Sequence, residues 1–146
     1  MASEGLSGTL IVDASIGLKW VVPENGTGEA FQIVRGRRLL VPALFWLEAA
    51  NALASKVRRG VLTAKAAAEA FEDLKRVPLE TVEITPALAM DALAIANRLG
   101  HTVYDCAYLV LAASRDAVVM TADRRFAAAV SADALLAHRV RLLPTT

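Results

Sequence analysis

The chain has 146 residues, 55% of them hydrophobic, and its 16 basic and 15 acidic residues give a formal net charge of +1. This length suits one domain without a stabilising staple, and the single cysteine excludes an intramolecular disulfide and favours a reducing cytoplasm. No stretch approaches the roughly 18 uninterrupted apolar residues of a membrane helix, and residues 1–8 lack the features of a signal peptide. We therefore predict a cytoplasmic protein, with a flexible extension over 1–8 and one domain over 9–146.

Short β-rich runs alternate with alanine-rich runs along the chain, a pattern typical of a parallel sheet covered by helices. In chain order the sequence predicts a strand at 9–12, helices at 15–22 and 29–37, a strand at 39–41, helices at 43–59 and 64–76, a strand at 79–84, helices at 86–100 and 103–115, and strands at 118–120 and 139–143. Gly60 marks one predicted helix end, and Thr63 and Thr85 mark two predicted helix starts. The predicted fold is α/β, with about five strands.

Four acidic residues occupy positions where a globular protein seldom places them. Asp13 and Asp123 each follow a predicted strand, at the edge where parallel sheets form their ligand crevice. Glu48 and Asp105 each interrupt an apolar helical run. Because ionised acids are rarely buried without a partner, four of them together predict a bound cation.

Each acid also has a local explanation. Asp13 and Asp123 suit helix caps in strand-to-helix turns, and Asp105 stands three residues after Thr102, the spacing of a capping box. Glu48 is compatible with a partly solvated polar stripe that includes Asn51. These alternatives stay open at the level of sequence.

The available ligands favour a hard metal ion. Carboxylate oxygens suit Mg²⁺ or Mn²⁺, whereas two histidines and one cysteine are too few for zinc. With four of the 15 acidic residues set aside, eleven remain against 16 basic ones, so a mildly basic surface would surround an acidic pocket. This arrangement favours metal-dependent hydrolysis of a phosphate ester in a polyanion.

Four motifs in order give the chain a family resemblance. The motifs lie at residues 10–15, 42–53, 103–109 and 120–126. With them the chain resembles the PIN domain family of metal-dependent ribonucleases, especially the VapC-like toxins of bacterial type II toxin–antitoxin pairs. The resemblance implies a three-layer α/β/α fold with a central parallel sheet, and an acidic quartet that binds one or two Mg²⁺ or Mn²⁺ ions, formed by Asp13, Glu48, Asp105 and Asp123. It further implies supporting roles for Ser15, Asn51 and Thr121.

The resemblance also implies an activity and partners. We expect an endoribonuclease that cleaves RNA by attack of a metal-activated water, a cognate VapB-like antitoxin that inhibits it, and a homodimer. Two alternatives remain: a PIN nuclease of RNA processing without a toxin role, and a catalytically silent module that binds RNA or protein.

Other polar and aromatic residues receive narrower predictions. Arg124 and Arg125 follow Asp123 directly, so they are candidates for RNA phosphate contacts, with a solvated helix start as the alternative. Cys106 is predicted to be a buried structural residue rather than a nucleophile. Four aromatic residues are predicted to lie in the core rather than to stack on bases: Trp20, Trp46, Tyr104 and Tyr108.

Overall fold

The computed structural model describes residues 8–144, which form a five-stranded parallel sheet with helices on both faces. The strands are β1 (Thr9–Val12), β2 (Arg38–Pro42), β3 (Leu79–Val82), β4 (Val118–Thr121) and β5 (Val140–Leu142). The helices are α1 (Ala14–Val21), α2 (Thr27–Ile33), α3 (Leu44–Arg58), α4 (Ala64–Lys75), α5 (Pro86–Leu99), α6 (Val103–Ser114) and α7 (Arg124–Ser131), with a 3₁₀ helix at Ala137–Arg139. The predicted α/β/α fold with a parallel sheet is confirmed.

The strand order β3-β2-β1-β4-β5 places β1 at the centre. Leu10, Ile11 and Val12 are fully buried because helices cover both faces of the sheet. From β1 the sheet extends through β2 on one side and through β4 on the other, so the order reverses between β1 and β4. In parallel sheets the crevice beyond the carboxyl ends of two such strands is the usual ligand site, and Asp13 and Asp123 follow these two ends.

Threonine caps fix several helix starts where the sequence predicts them. Thr63, Thr85 and Thr102 each accept a hydrogen bond from the backbone N–H three residues later, at 3.0, 3.1 and 3.2 Å. These bonds satisfy donors that have no partner within the helix. Gly100 ends α5 in the left-handed region, at φ 67°, which a residue with a Cβ seldom adopts.

Some boundaries differ from the prediction. The strand predicted at 79–84 ends at Val82, and the helix predicted at 29–37 spans Thr27–Ile33. The helix Arg124–Ser131 was not predicted, although Phe126, Ala127 and Val130 repeat at helical spacing and are buried. Eight residues give too short a pattern to define a helix on propensity alone, so packing against the sheet decides its formation.

Three of the four aromatic side chains predicted in the core pack against it. Tyr108 is 1% exposed, while Trp20 and Trp46 are partly buried and donate their indole N–H to the Ala30 carbonyl and to Thr81 Oγ1. The prediction for Tyr104 is wrong, because this side chain is 67% exposed. Tyr104 is the second residue of α6, one turn before Tyr108, and its neighbours Thr102 and Val103 are exposed as well.

Two further predictions concern the chain start and membranes. Residues 1–7 of the predicted extension lie outside the described residues, whereas the Gly8 carbonyl accepts a 2.7 Å hydrogen bond from the Arg38 N–H. None of the helices in the described range 8–144 has the length and apolar character needed to cross a bilayer.

Candidate active site

A small pocket at the carboxyl edge of the sheet brings the four predicted acids together. It has a volume of about 140 Å³ and is lined by Asp13, Ala14, Ser15, Glu48, Asp105, Tyr108 and Asp123. The acids come from four places in the chain: the ends of β1 and β4, the second turn of α3 and the first turn of α6. Among residues 8–144, no Lys or Arg lines this pocket.

Two hydroxyl groups hold the Asp13 carboxylate. Ser15 Oγ donates to Oδ1 at 2.5 Å and accepts from the Ala122 N–H at 2.9 Å. Thr121 Oγ1 donates to Oδ2 and accepts from the Asp123 N–H at 3.0 Å. Both relays begin on the backbone beyond β4, so they join the ends of the two central strands and fix Asp13 in the pocket.

Asp13 and Asp123 serve as helix caps and line the pocket at the same time. The Ile16 N–H donates to Asp13 Oδ1 at 3.3 Å at the start of α1. The Phe126 N–H donates to Asp123 Oδ1 at 3.1 Å at the start of α7. The capping interpretation and the pocket interpretation are therefore compatible for both residues.

Glu48 and Asp105 have neighbours that orient them. The Tyr108 hydroxyl donates to Glu48 Oε1 at 2.6 Å, which ties α3 to α6 across the pocket. On the other side, His101 Nε2 lies 3.3 Å from Asp105 Oδ2. Tyr108 and His101 were not predicted as site residues, although Tyr108 stands three residues after Asp105, on the same face of the helix.

Burial and mutual repulsion raise the pKa of three of the acids. Burial, with a smaller contribution from the charge of Asp105, raises the pKa of Asp13 to about 6 against the hydrogen bonds from Ser15, Thr121 and the Ile16 N–H. Burial also raises the pKa of Glu48, as do the charges of Asp105 and Asp13, against the Tyr108 hydrogen bond. The pKa of Asp105 rises through burial and the charge of Asp123, against the effect of His101. The acids therefore lie close enough to repel one another.

The donor chemistry of the pocket fits a hard divalent ion. Its polar groups are carboxylate and hydroxyl oxygens, and a cation would relieve their repulsion. Within residues 8–144, no three His, Cys, Asp or Glu side chains are arranged to hold a metal ion as they stand. A complete protein cage is not required, because Mg²⁺ is commonly held by one or two carboxylates, with waters and substrate phosphates filling the other positions.

Several other residues are separated from this pocket. Asn51 is exposed and does not line it. Arg124 is also exposed and lines neither this pocket nor the next, whereas Arg125 lines the neighbouring one. Cys106 is fully buried, and burial raises its pKa to about 11, so the thiol stays protonated at neutral pH.

The comparison with known families agrees with this geometry. The sequence model of the PIN domain family matches residues 10–131, which contain all four acids. The chain belongs to the PIN domain family. Ribonuclease VapC3 from Pyrobaculum aerophilum is 34% identical over 120 residues, which cover 81% of this chain and 92% of the relative.

Solved structures share the PIN fold of this chain. The crystal structure of PAE2754 from Pyrobaculum aerophilum is similar, with a TM-score of 0.66 and 26% identity over 86% of this chain and 83% of that one. A toxin–antitoxin complex from Klebsiella pneumoniae gives a TM-score of 0.65 with 12% identity, over 94% of this chain and 99% of that one. At 12% identity the second likeness concerns the fold alone.

Proposed function

We propose that this PIN domain protein is an endoribonuclease that depends on Mg²⁺ or Mn²⁺. The observation that carries the proposal is the convergence of Asp13, Glu48, Asp105 and Asp123 on one pocket at the switch point of the sheet. The 34% identity to a ribonuclease over most of both chains supports RNA as the substrate. Four oxygen-ligand side chains without a basic partner in the lining suit the binding of cation and phosphate together.

The four acids divide into two roles in the proposed reaction. Asp13, fixed at both oxygens, is assigned with Asp105 and Asp123 to metal binding. Glu48, held at Oε1 by Tyr108, is assigned as a further ligand or as the residue that orients the attacking water. The bound ion would supply water activation and stabilisation of charge on the phosphate oxygens. Ser15 and Thr121 act through Asp13 by keeping its carboxylate in place.

Metal-dependent cleavage of RNA tests this function. Purified protein free of any antitoxin is incubated with total cellular RNA in EDTA, Mg²⁺ or Mn²⁺, beside the variants Asp13→Asn and Asp105→Asn. We expect discrete fragments that require metal and a loss of cleavage of at least about a hundredfold in each variant, the scale of removing one main source of transition-state stabilisation.

Asp91→Asn is the matched control, since it removes an exposed carboxylate on α5 outside the pocket. It should cleave like the wild type. Intact RNA under every metal condition from folded protein contradicts the proposal, and RNA that is bound without cleavage favours the silent binding module.

We also propose that the nuclease is the toxin of a VapBC-type pair. The resemblance to VapC-like toxins supports this role, together with the 34% identity to Ribonuclease VapC3. The chemistry of the pocket suggests how an antitoxin would inhibit the nuclease. An arginine of the antitoxin would pair with the carboxylates of the pocket and displace the cation. Growth arrest on expression, relieved by Asp13→Asn, is expected. Normal growth with active enzyme would favour a PIN nuclease of RNA processing.

A homodimer is the proposed assembly. The family resemblance supports it, and Met90 and Leu93 expose apolar surface on α5. Light scattering should give twice the chain mass of 15.5 kDa; a mass of one chain at micromolar concentration would contradict the proposal.

A further inference from the structure

A second pocket lies directly beside the acidic one. It has a volume of about 330 Å³ and is lined by Gly100, His101, Thr102, Asp105, Asp123 and Arg125. Asp105 and Asp123 line both pockets, so the two form adjoining compartments with a common wall. The larger compartment falls in the range of small-ligand sites, which begins at about 300 Å³.

The second pocket differs from the first in charge. Arg125 brings a permanent cation to its lining, and Arg125 itself is exposed, so its guanidinium can meet a ligand from solvent. This cation stands next to two carboxylates that would otherwise repel a polyanion. The pair of compartments therefore presents acids for a metal ion and an arginine for an anion side by side.

The remaining lining is held in place by packing. The His101 ring lies against Phe126, with ring centroids 5.5 Å apart, and its Nε2 faces Asp105. Phe126 is 1% exposed, so the imidazole rests on a fixed core residue. Thr102 caps α6 through the Asp105 N–H. An ordered lining costs less conformational entropy when a ligand binds.

We propose that this second pocket binds the nucleotide next to the scissile phosphate, with Arg125 contacting the flanking phosphodiester. This inference rests on the proposed nuclease function and adds a substrate-positioning residue to it. A phosphate held in the acidic compartment brings its neighbour along the strand to the adjoining compartment, because the two share a wall. Arginine suits this neighbour, since its fork of N–H donors matches phosphate oxygens.

Arg124 supplies an internal comparison. It precedes Arg125 at the start of α7 and is also exposed, yet it does not line the pocket. Consecutive residues of a helix point about 100° apart, so only one of the two can face the same ligand. A general attraction of RNA to basic surface would involve both arginines, whereas the proposed subsite involves Arg125 alone.

The test neutralises one phosphate at a time. The substrates are short single-stranded RNAs with a mapped cleavage linkage, in which the phosphate on either side is replaced by a neutral methylphosphonate; every version carries 2′-deoxyribose at both flanking linkages. We expect one of the two replacements to lower kcat/KM of the wild type roughly tenfold, mainly through KM. On the RNA that keeps both flanking phosphodiesters, Arg125→Gln should lower kcat/KM by a similar factor. On the RNA with that methylphosphonate, the variant should show no further loss.

Arg124→Gln is the matched control and should keep the wild-type response to both replacements. The inference is overturned if Arg125→Gln and Arg124→Gln weaken cleavage equally, or if Arg125→Gln still loses tenfold on neutralisation. The proposed nuclease function is judged separately, by metal-dependent cleavage that is lost in Asp105→Asn.

If the deoxyribose-substituted RNAs resist cleavage by the wild type, binding decides instead. In fluorescence anisotropy with the same labelled RNAs, Arg125→Gln should lower the slope of log affinity against log salt by about 0.7, the value for one single-strand phosphate. Equal slopes for Arg125→Gln and the wild type would overturn the inference.

Discussion

Asp13 shows most directly how burial and charge conflict at one residue. Its side chain is 9% exposed, and burial raises its pKa to about 6 from 3.8 even though Ser15 and Thr121 donate to both oxygens. At neutral pH the carboxylate is ionised although burial disfavours its ionised form. The buried charge therefore destabilises the metal-free protein and favours the binding of a cation.

We expect Asp13→Asn to stabilise the metal-free protein while abolishing cleavage. Because the folded pKa lies above the unfolded one, the folded state holds the extra proton between about pH 4 and 6, so wild-type stability falls as pH rises through that window. Asparagine does not ionise, so the variant does not lose stability over this pH range. At pH 7.5 its free energy of unfolding should exceed that of the wild type by about 1–3 kcal/mol. Urea unfolding in EDTA measures it.

The pH series supplies the control for that prediction. The difference in unfolding free energy between Asp13→Asn and the wild type should shrink as pH falls to 4, where both side chains are neutral. A variant that is less stable than the wild type at every pH would show that the bonds to Ser15 and Thr121 outweigh the buried charge.

At the scale of elements, the contact of α1 with α3 sets the position of two acids. Asp13 caps α1, and Glu48 lies in α3. Gly17 of α1 faces Phe45 of α3, and a Cβ added at Gly17 would come within 2.7 Å of Phe45 Cζ. Phe45 is fully buried and stands three residues before Glu48, so the close approach of the two helices depends on the missing side chain at position 17.

We expect Gly17→Ala to destabilise the protein by about 1–3 kcal/mol through overpacking, although alanine is the better helix former by about 1 kcal/mol. The displaced Phe45 should move α3, so cleavage should fall as well. Chemical denaturation and RNA cleavage measure the two effects.

Gly28→Ala in α2 is the matched control, since its added Cβ would meet no atom of the described residues within 4 Å. It should be neutral or up to about 1 kcal/mol more stable, with unchanged cleavage. If Gly17→Ala behaves like Gly28→Ala, the contact with Phe45 does not limit the approach of the helices.

At the scale of the whole molecule, repulsion among the acids links metal binding to stability. Mg²⁺ or Mn²⁺ that binds only the folded chain should raise the unfolding free energy, by about 2.7 kcal/mol at one hundred times its Kd. The increase should be smaller at pH 5, where Asp13 with its pKa of about 6 is mostly protonated and competes with the metal.

Thermal unfolding with and without Mn²⁺, at pH 7.5 and pH 5, measures this linkage. Asp105→Asn should reduce the increase, while Asp91→Asn, outside the pocket, should leave it unchanged. Equal increases in all three proteins would place the stabilising metal elsewhere and contradict the proposed ligand set.

The sequence by itself determined the parts that depend on neighbours along the chain. Apolar runs gave the five strands, and threonines at fixed offsets gave the starts of α4, α5 and α6. The acids stood out because carboxylates are improbable within apolar runs. The spacing of the residues left helix capping open as an explanation for Asp13, Asp105 and Asp123. The family resemblance over most of the chain predicted that the acids share one metal site.

Only the tertiary structure decided which side chains meet. The bond from Tyr108 to Glu48 joins residues 60 positions apart, and the bond from Thr121 to Asp13 joins residues 108 apart. The packing of the helices also decided that Tyr108 is buried and Tyr104 exposed. It placed Arg125, but not Arg124, in the lining of the second pocket. The physical reason is that propensities and caps act within one turn or strand, whereas burial and pairing follow from how whole helices pack against the sheet.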